Sequence, residues 1–177
     1  MSDGLFYVLL PRFNMFSLTN LMEPARIANY LSAEDLYQKT YLSFDGPNIM
    51  SSNGMMVECQ MAPKQMARDD LIFIVGSWGA EHYANRKLFS WLRVQARNGV
   101  RICAVEMGAY ILARAGLLAQ RSATMHWSYL AGFQEQFPDV DVQEQLFTED
   151  GPILCCSGAT AGLDLMLYII GGRHGQA

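Results

Sequence analysis

The chain has 177 residues, of which 51% are hydrophobic and 17% charged, enough apolar material for one α/β domain around a buried sheet. Its formal net charge of −4 repels phosphate backbones, so nucleic-acid binding is not expected of this chain alone. No apolar run reaches the roughly 20 residues of a membrane span, and the start at Met1–Gly4 lacks the basic and apolar regions of a signal peptide.

The four cysteines, Cys59, Cys103, Cys155 and Cys156, show neither CxxC nor Cys/His ligand spacing, and two are adjacent. That pattern fits a reduced, cytoplasmic chain and implies no structural disulfide, no metal and no bound cofactor.

In chain order, "LFYVLL" (5–10), closed by Pro11, reads as a first strand. "SLTNLMEPARIANYLS" (17–32) has helical spacing, with Pro24 expected to kink or break it. "YQKTYLSF" (37–44) reads as a second strand, and "IMSSNGMMV" (49–57) as a hairpin with Asn53-Gly54 at its tip. "LIFIVG" (71–76) is the clearest buried strand, followed by the loop Gly76–Gly79 and a helix over 81–97 that Asn98-Gly99 stops. "VRICAV" (100–105) is a strand that turns through Gly108 into a helix reaching Leu118. A further helix is expected from Thr124–Trp127 to Gln136, with Thr124 helping to cap it. "VDVQEQLFTED" (140–150) and "PILCCS" (152–157) read as strands about an Asp150-Gly151 turn, and Ser157–Thr160 introduces a last helix. "HGQA" follows that helix without an obvious stop, as in a chain cut from something longer. Strands alternating with helices predict one domain, 1–177, with a mostly parallel sheet covered on both faces.

In such sheets ligands bind at the carboxyl ends of the strands. The loops there carry Phe13-Asn14, Ser77-Trp78, Glu106-Met107, His126-Trp127 and Ser157-Gly158. Glu106 sits on the strand-to-helix turn where many hydrolases mount a serine or cysteine. It reads either as a helix N-terminal acid stabilised by the macrodipole, or as a pocket acid that favours a cationic ligand. His126 is either a helix-start residue or a pocket donor near Glu106. Trp78 and Trp127 are packing residues or faces for a quaternary ammonium. Amides near Ser77, Met107 and Ser157 can hold a carboxylate. The adjacent Cys155 and Cys156 alternate faces, so one could approach the crevice, although buried, inert thiols are the default.

The segments "EPARIANYLSAEDLYQKTYLSFDG" (23–46), "SSNGMMV" (51–57), "GAYILARAGLLAQRSATMHW" (108–127), "FPDVDVQEQLF" (137–147) and "SGATAGLDLMLYIIGGRHG" (157–175) carry a family resemblance almost end to end. The chain resembles the N-terminal, glutamine-amidotransferase-like (PfpI-type) domain of AraC-family transcriptional regulators, in the branch concerned with betaine and carnitine. The resemblance implies a three-layer sandwich of flavodoxin-like, class I glutamine amidotransferase-like fold. It also implies homodimerisation, and a C-terminal helix-turn-helix domain through which DNA would be bound. Enzymes of that superfamily keep a cysteine where Glu106 stands, so their thiolate chemistry is not expected here. The resemblance points instead to a small amino or quaternary-ammonium effector bound by Glu106, Met107, Ser77, Trp78, His126, Trp127 and Ser157. Two alternatives stay open: a small hydrolase or lyase with Glu106 and His126 as an acid/base pair, and a pure dimerisation module with an empty crevice. A helix N-terminus is expected to lower the Glu106 pKa, which counts against the first.

Overall fold

Ile102–Val105 and Leu71–Val75 are apolar at every position and buried throughout, as strands in the middle of a sheet covered on both faces must be. The structure, a computed structural model, describes residues 2–63 and 65–175. These two segments are strands β7 (Arg101–Val105) and β6 (Leu71–Val75). They lie in a seven-stranded sheet with β1 (Asp3–Leu9), β2 (Tyr37–Ser43), β5 (Gln60–Met61), β10 (Phe147–Asp150) and β11 (Ile153–Cys156). The order is β10–β11–β7–β6–β1–β2–β5, parallel except for β10.

Leu9, Val75, Val105 and Cys156 are in register across four neighbouring strands. The chain therefore leaves the sheet along one edge through Leu10, Gly76, Glu106 and Ser157. The order along the sheet reverses between β1 and β6, the place where open parallel sheets form a crevice.

Helices α1 (Met15–Ser32) and α5 (Ala161–His174) cover one face, where Leu18, Leu21, Leu165, Met166 and Ile169 pack on Tyr7, Phe73 and Cys103. Helices α2 (Arg86–Arg97), α3 (Ala109–Arg114) and α4 (Leu130–Gln136) cover the other, with Leu88, Leu92, Ile111 and Phe133 on Ile72, Ile74 and Ile102. The expected three-layer α/β sandwich with a mostly parallel sheet is the fold observed.

Several local expectations are corrected. Helix α1 runs unbroken through Pro24. The helix expected over 81–97 begins only at Arg86, because the Asn85 side chain accepts from the Lys87 and Leu88 amides and caps it there. Before it, Ala80–His82 form a 3-10 turn, and Arg114 holds the carbonyls of Glu81 and Tyr83. Helix α3 stops at Arg114, four residues short of Leu118, as the chain turns through Gly116 at φ 73°.

The expected helix from Thr124 starts at Leu130, after a 3-10 turn over Trp127–Tyr129. Thr124 does not cap it: its hydroxyl donates to the Gln145 carbonyl at 2.9 Å, and His126 Nδ1 accepts from the Ser128 amide instead. The single strand read over 140–150 is two. Strand β9 (Asp141–Val142) pairs with β8 (Ser122–Ala123) in a separate parallel ribbon, whereas β10 pairs with β11. The hairpin about Asn53-Gly54 is present as β3 (Asn48–Met50) and β4 (Met56–Glu58). Strands β5 and β8, of two residues each, were not expected. The expectation drawn from "HGQA" falls largely on Gln176 and Ala177, outside the described residues.

Candidate functional site

The turn after β7 is tight for a steric reason. A Cβ on Gly108 would lie 2.3 Å from the Ile74 carbonyl oxygen, so only glycine lets the start of α3 rest against β6. The chain enters that turn with Glu106 at φ 53°, a left-handed conformation that costs a side-chain-bearing residue of order 1 kcal/mol or more. Strain at this position aims the Glu106 side chain back across the strand ends.

Glu106 is 3% exposed. Its Oε1 accepts two hydrogen bonds, from Ser17 Oγ at 2.5 Å and Asn14 Nδ2 at 2.7 Å. Ser17 Oγ in turn accepts from the Ala159 amide at 2.7 Å. The Asn14 Oδ1 accepts from the Phe16 and Ser17 amides and so also caps α1. The carboxylate thus joins the ends of three strand-to-helix loops. Gly158, at φ 94°, closes over it: a Cβ there would come within 1.9 Å of Glu106 Cγ. Among the described residues no Arg or Lys forms an ion pair with Glu106, and the two side-chain donors both go to Oε1.

Burial holds the Glu106 carboxyl above its ordinary range. The Ser17 bond, nearby His126 and the Asn14 and Ala159 donors pull the other way without cancelling it. This reverses the expectation that a helix N-terminus lowers that pKa: α3 begins with a short 3-10 turn, and desolvation outweighs its dipole.

The other expected site residues divide. His126 is close enough to act electrostatically on Glu106, and its Nδ1 is engaged by the Ser128 hydroxyl at 2.8 Å. Trp127 stacks on His126 with ring centroids 5.8 Å apart and stays 74% exposed; Trp78 is 61% exposed. The Met107 side chain is buried in the core, so only its backbone can serve a ligand. Ser77 is buried, and its carbonyl accepts from the Ala80 amide. The Ser157 amide is already spent on the Leu146 carbonyl, which leaves its hydroxyl but not its N–H for a carboxylate.

Ser17 and Ala159, missing from the expected set, both act directly on the Glu106 carboxylate. Ser17 lies inside an ordinary helical pattern, and no sequence signal separates it from a packing residue. Asn14 was visible only as part of a strand-end loop.

All four cysteines are buried, and burial pushes Cys155 and Cys156 up to about 12 and Cys59 up to about 11. Cys156 does approach the crevice, near enough to feel the Glu106 charge, but as a neutral thiol. Among the described residues no group of three or more His, Cys, Asp or Glu side chains is placed to hold a metal ion. No described helix is long and apolar enough to cross a membrane.

Residues 7–171 match the DJ-1/PfpI family. The chain belongs to that family. Within it, the chain is similar to the HTH-type transcriptional regulator CdhR of Pseudomonas aeruginosa, 39% identical over 175 residues, or 99% of this chain and 52% of that protein. The HTH-type transcriptional regulator GbdR of the same species is 37% identical over 170 residues, covering 96% and 46%. The chain therefore spans about half the length of the curated relatives it matches.

Among solved structures, an AraC family transcriptional regulator from Pseudomonas putida aligns with a TM-score of 0.85 at 26% identity, over 98% of this chain and 94% of that one. Drosophila melanogaster DJ-1beta, 16% identical, shares the fold with a TM-score of 0.78 over 99% and 92%. The DJ-1/PfpI domain of this chain is thus of the kind found in AraC-type regulators, as its motifs imply.

Proposed function

We propose that this DJ-1/PfpI domain is the non-catalytic sensor of an AraC-type transcriptional regulator, and that its crevice binds a small amino or quaternary-ammonium compound. One observation carries the reading. The elbow holds a buried carboxylate bonded by Asn14 and Ser17 through one oxygen, with no Arg or Lys partner among the described residues. Such a group is stabilised by a ligand that brings positive charge. His126 supplies partial compensation, and the exposed indoles of Trp78 and Trp127 offer cation–π faces worth roughly 0.5–1 kcal/mol each at such exposure. The hydroxyls of Ser77 and Ser157 and the Met107 backbone are the remaining polar groups for the ligand's other end.

In this reading DNA is bound through a separate helix-turn-helix domain of the full regulator, and two copies pair. The outward sides of α1 and α5 support pairing: Ile27, Tyr30, Leu31, Leu167 and Tyr168 are all exposed there.

The test is calorimetric titration with betaine, carnitine, choline and arginine, against wild type and Glu106→Gln. Saturable binding that weakens at least tenfold, about 1.4 kcal/mol, in the variant is the expected result. Binding unchanged by the variant would return Glu106 to a purely structural role.

A second reading has one observation in its favour. A carboxyl that keeps its proton to higher pH than usual, beside His126, suits general acid/base work in a small hydrolase or lyase. Turnover of ester or amide substrates that disappears in Glu106→Gln would establish it in place of the sensor.

A further inference from the structure

The two oxygens of Glu106 do different jobs. Oε1 is saturated by Asn14 and Ser17, so a ligand or proton must use Oε2. The donors also run in one direction. A carboxylate only accepts, so the Ser17 hydroxyl must give its proton to Oε1, which leaves its lone pairs for the Ala159 amide. The result is a directed chain from Ala159 N–H through Ser17 O–H to the Glu106 carboxylate, beside a direct pull of the Ala159 amide on that carboxylate. Each bond in such a chain polarises the next.

Ala159 is a poor place to be held without help. It sits at φ 50° between Gly158 and the first turn of α5, whose Ala161 and Gly162 amides bond back to the Gly158 and Ala159 carbonyls. The Ser17 bond is the side-chain tether on that strained residue.

We propose that Ser17 is a positioning residue that couples the charge on Glu106 to the start of α5. With Glu106 ionised, the relay is strong and Ala159 is held. When the charge is neutralised through Oε2, by a proton or an effector cation, the relay weakens and α5 is freer to shift against α1. The use of this coupling in signalling rests on the sensor reading above, whereas the coupling itself is a property of the unliganded chain.

Hydrogen exchange of the Ala159 amide, followed by NMR on the folded chain, tests it. Ser17→Ala removes the acceptor and should speed exchange by roughly tenfold or more. Glu106→Gln keeps the shape but not the charge and should speed it by roughly fivefold. The double variant should exceed Ser17→Ala alone by much less than fivefold, because most of the charge on Glu106 reaches Ala159 through Ser17. Asn14→Ser retains a helix cap but loses the donor to Glu106, and should leave Ala159 within about twofold of wild type.

A pH profile separates the relay from simple packing. Corrected for intrinsic exchange, wild-type protection of Ala159 should fall as Glu106 protonates, and that inflection should shrink in Ser17→Ala to what the direct contact leaves. Among the described residues His126 is the titratable group that acts on Glu106, and Cys156 is one that feels the Glu106 charge. Cys156, pushed up to about 12, stays neutral throughout, and His126→Gln should move the inflection upward without abolishing it.

Ala159 exchange unmoved by Glu106→Gln, or an inflection undiminished in Ser17→Ala, would overturn the relay. Failure of choline and its congeners to bind would sink the sensor reading while leaving these exchange results decisive.

Discussion

The two ends of strand β7 handle charge in opposite ways. At its start, Arg101 meets Glu149 at 2.5 Å, and Tyr168 donates to the same carboxylate at 2.6 Å; the two charged side chains keep 28% and 29% of their surface in water. At its finish, Glu106 is 3% exposed, bonded only to neutral donors, and held above its ordinary pKa by burial. The first arrangement is a half-solvated ion pair that any sheet edge could carry. The second retains a carboxyl with no Arg or Lys partner among the described residues, on a strained backbone, which a chain selected for stability alone would discard. Strain, a pressed glycine and the lack of an Arg or Lys partner among the described residues coincide at one residue, and that coincidence is why we place the candidate site there.

The largest expected effect comes from crowding the buried end. Gly158→Ala places a methyl within 1.9 Å of Glu106 Cγ on a backbone at φ 94°, and should cost about 2–4 kcal/mol. Shortening the neighbour should give part of it back. Urea unfolding of Gly158→Ala, Glu106→Ala and the double variant should show a coupling of at least about 1 kcal/mol. Strict additivity would mean that Gly158 serves the turn and not the carboxylate.

This contrast also explains what could be read in advance. Continuous apolar runs such as "LIFIVG" and "ICAV" fix buried strands by local composition, and the order of strands and helices follows. Glu106 was legible because a carboxylate after a β-branched run and before a glycine breaks a local pattern. Ser17 was not, since its hydroxyl matters only through contacts 89 and 142 residues away in the chain. The late start of α2 was missed for a similar reason: Asn85 caps it, but Arg114 shapes the turn before it from another helix. The sign of the Glu106 pKa shift was missed because helix position is local, whereas desolvation is set by tertiary packing.

A smaller effect should follow from titrating the buried end. A carboxyl whose folded pKa is raised binds its proton more tightly when folded. The stability tied to that proton is therefore present below the ordinary value near 4.5 and lost as pH rises through the raised one. Glu106→Gln removes this dependence. The difference in thermal midpoint between variant and wild type should be smallest in acid and grow in the variant's favour toward neutral pH. Each kcal/mol recovered should appear as about 2–4 °C. A variant less stable than wild type at neutral pH, by the same scan, would show that the Asn14 and Ser17 bonds outweigh the charge.

The outer face gives a change of assembly with little change of fold. Leu167 is 55% exposed on α5 and lines a groove with Ile27, Leu31 and Ile170. Under the pairing proposed above, Leu167→Glu should convert a dimer to monomer by light scattering while moving the thermal midpoint of the monomer unit by no more than about 2 °C. Unchanged mass would remove this face from the pairing surface.

The smallest effect belongs to the solvated end of β7. Arg101→Gln should cost less than about 1 kcal/mol, because exposed pairs gain little over hydration. Its signature is sharper in spectroscopy than in stability. Glu149, through its hydrogen bond and its charge, raises the Tyr168 phenol, and Arg101 lowers it. Arg101→Gln should therefore push the Tyr168 titration further up, and Glu149→Gln should bring it down toward 10, both read from the tyrosinate absorbance against Tyr168→Phe. Here one charge can be deleted and its partner simply turns to water. If Arg101→Gln instead cost several kcal/mol, the pair would be behaving as a buried one, and the distinction between the two ends of the strand would fail at the end where it is easiest to check.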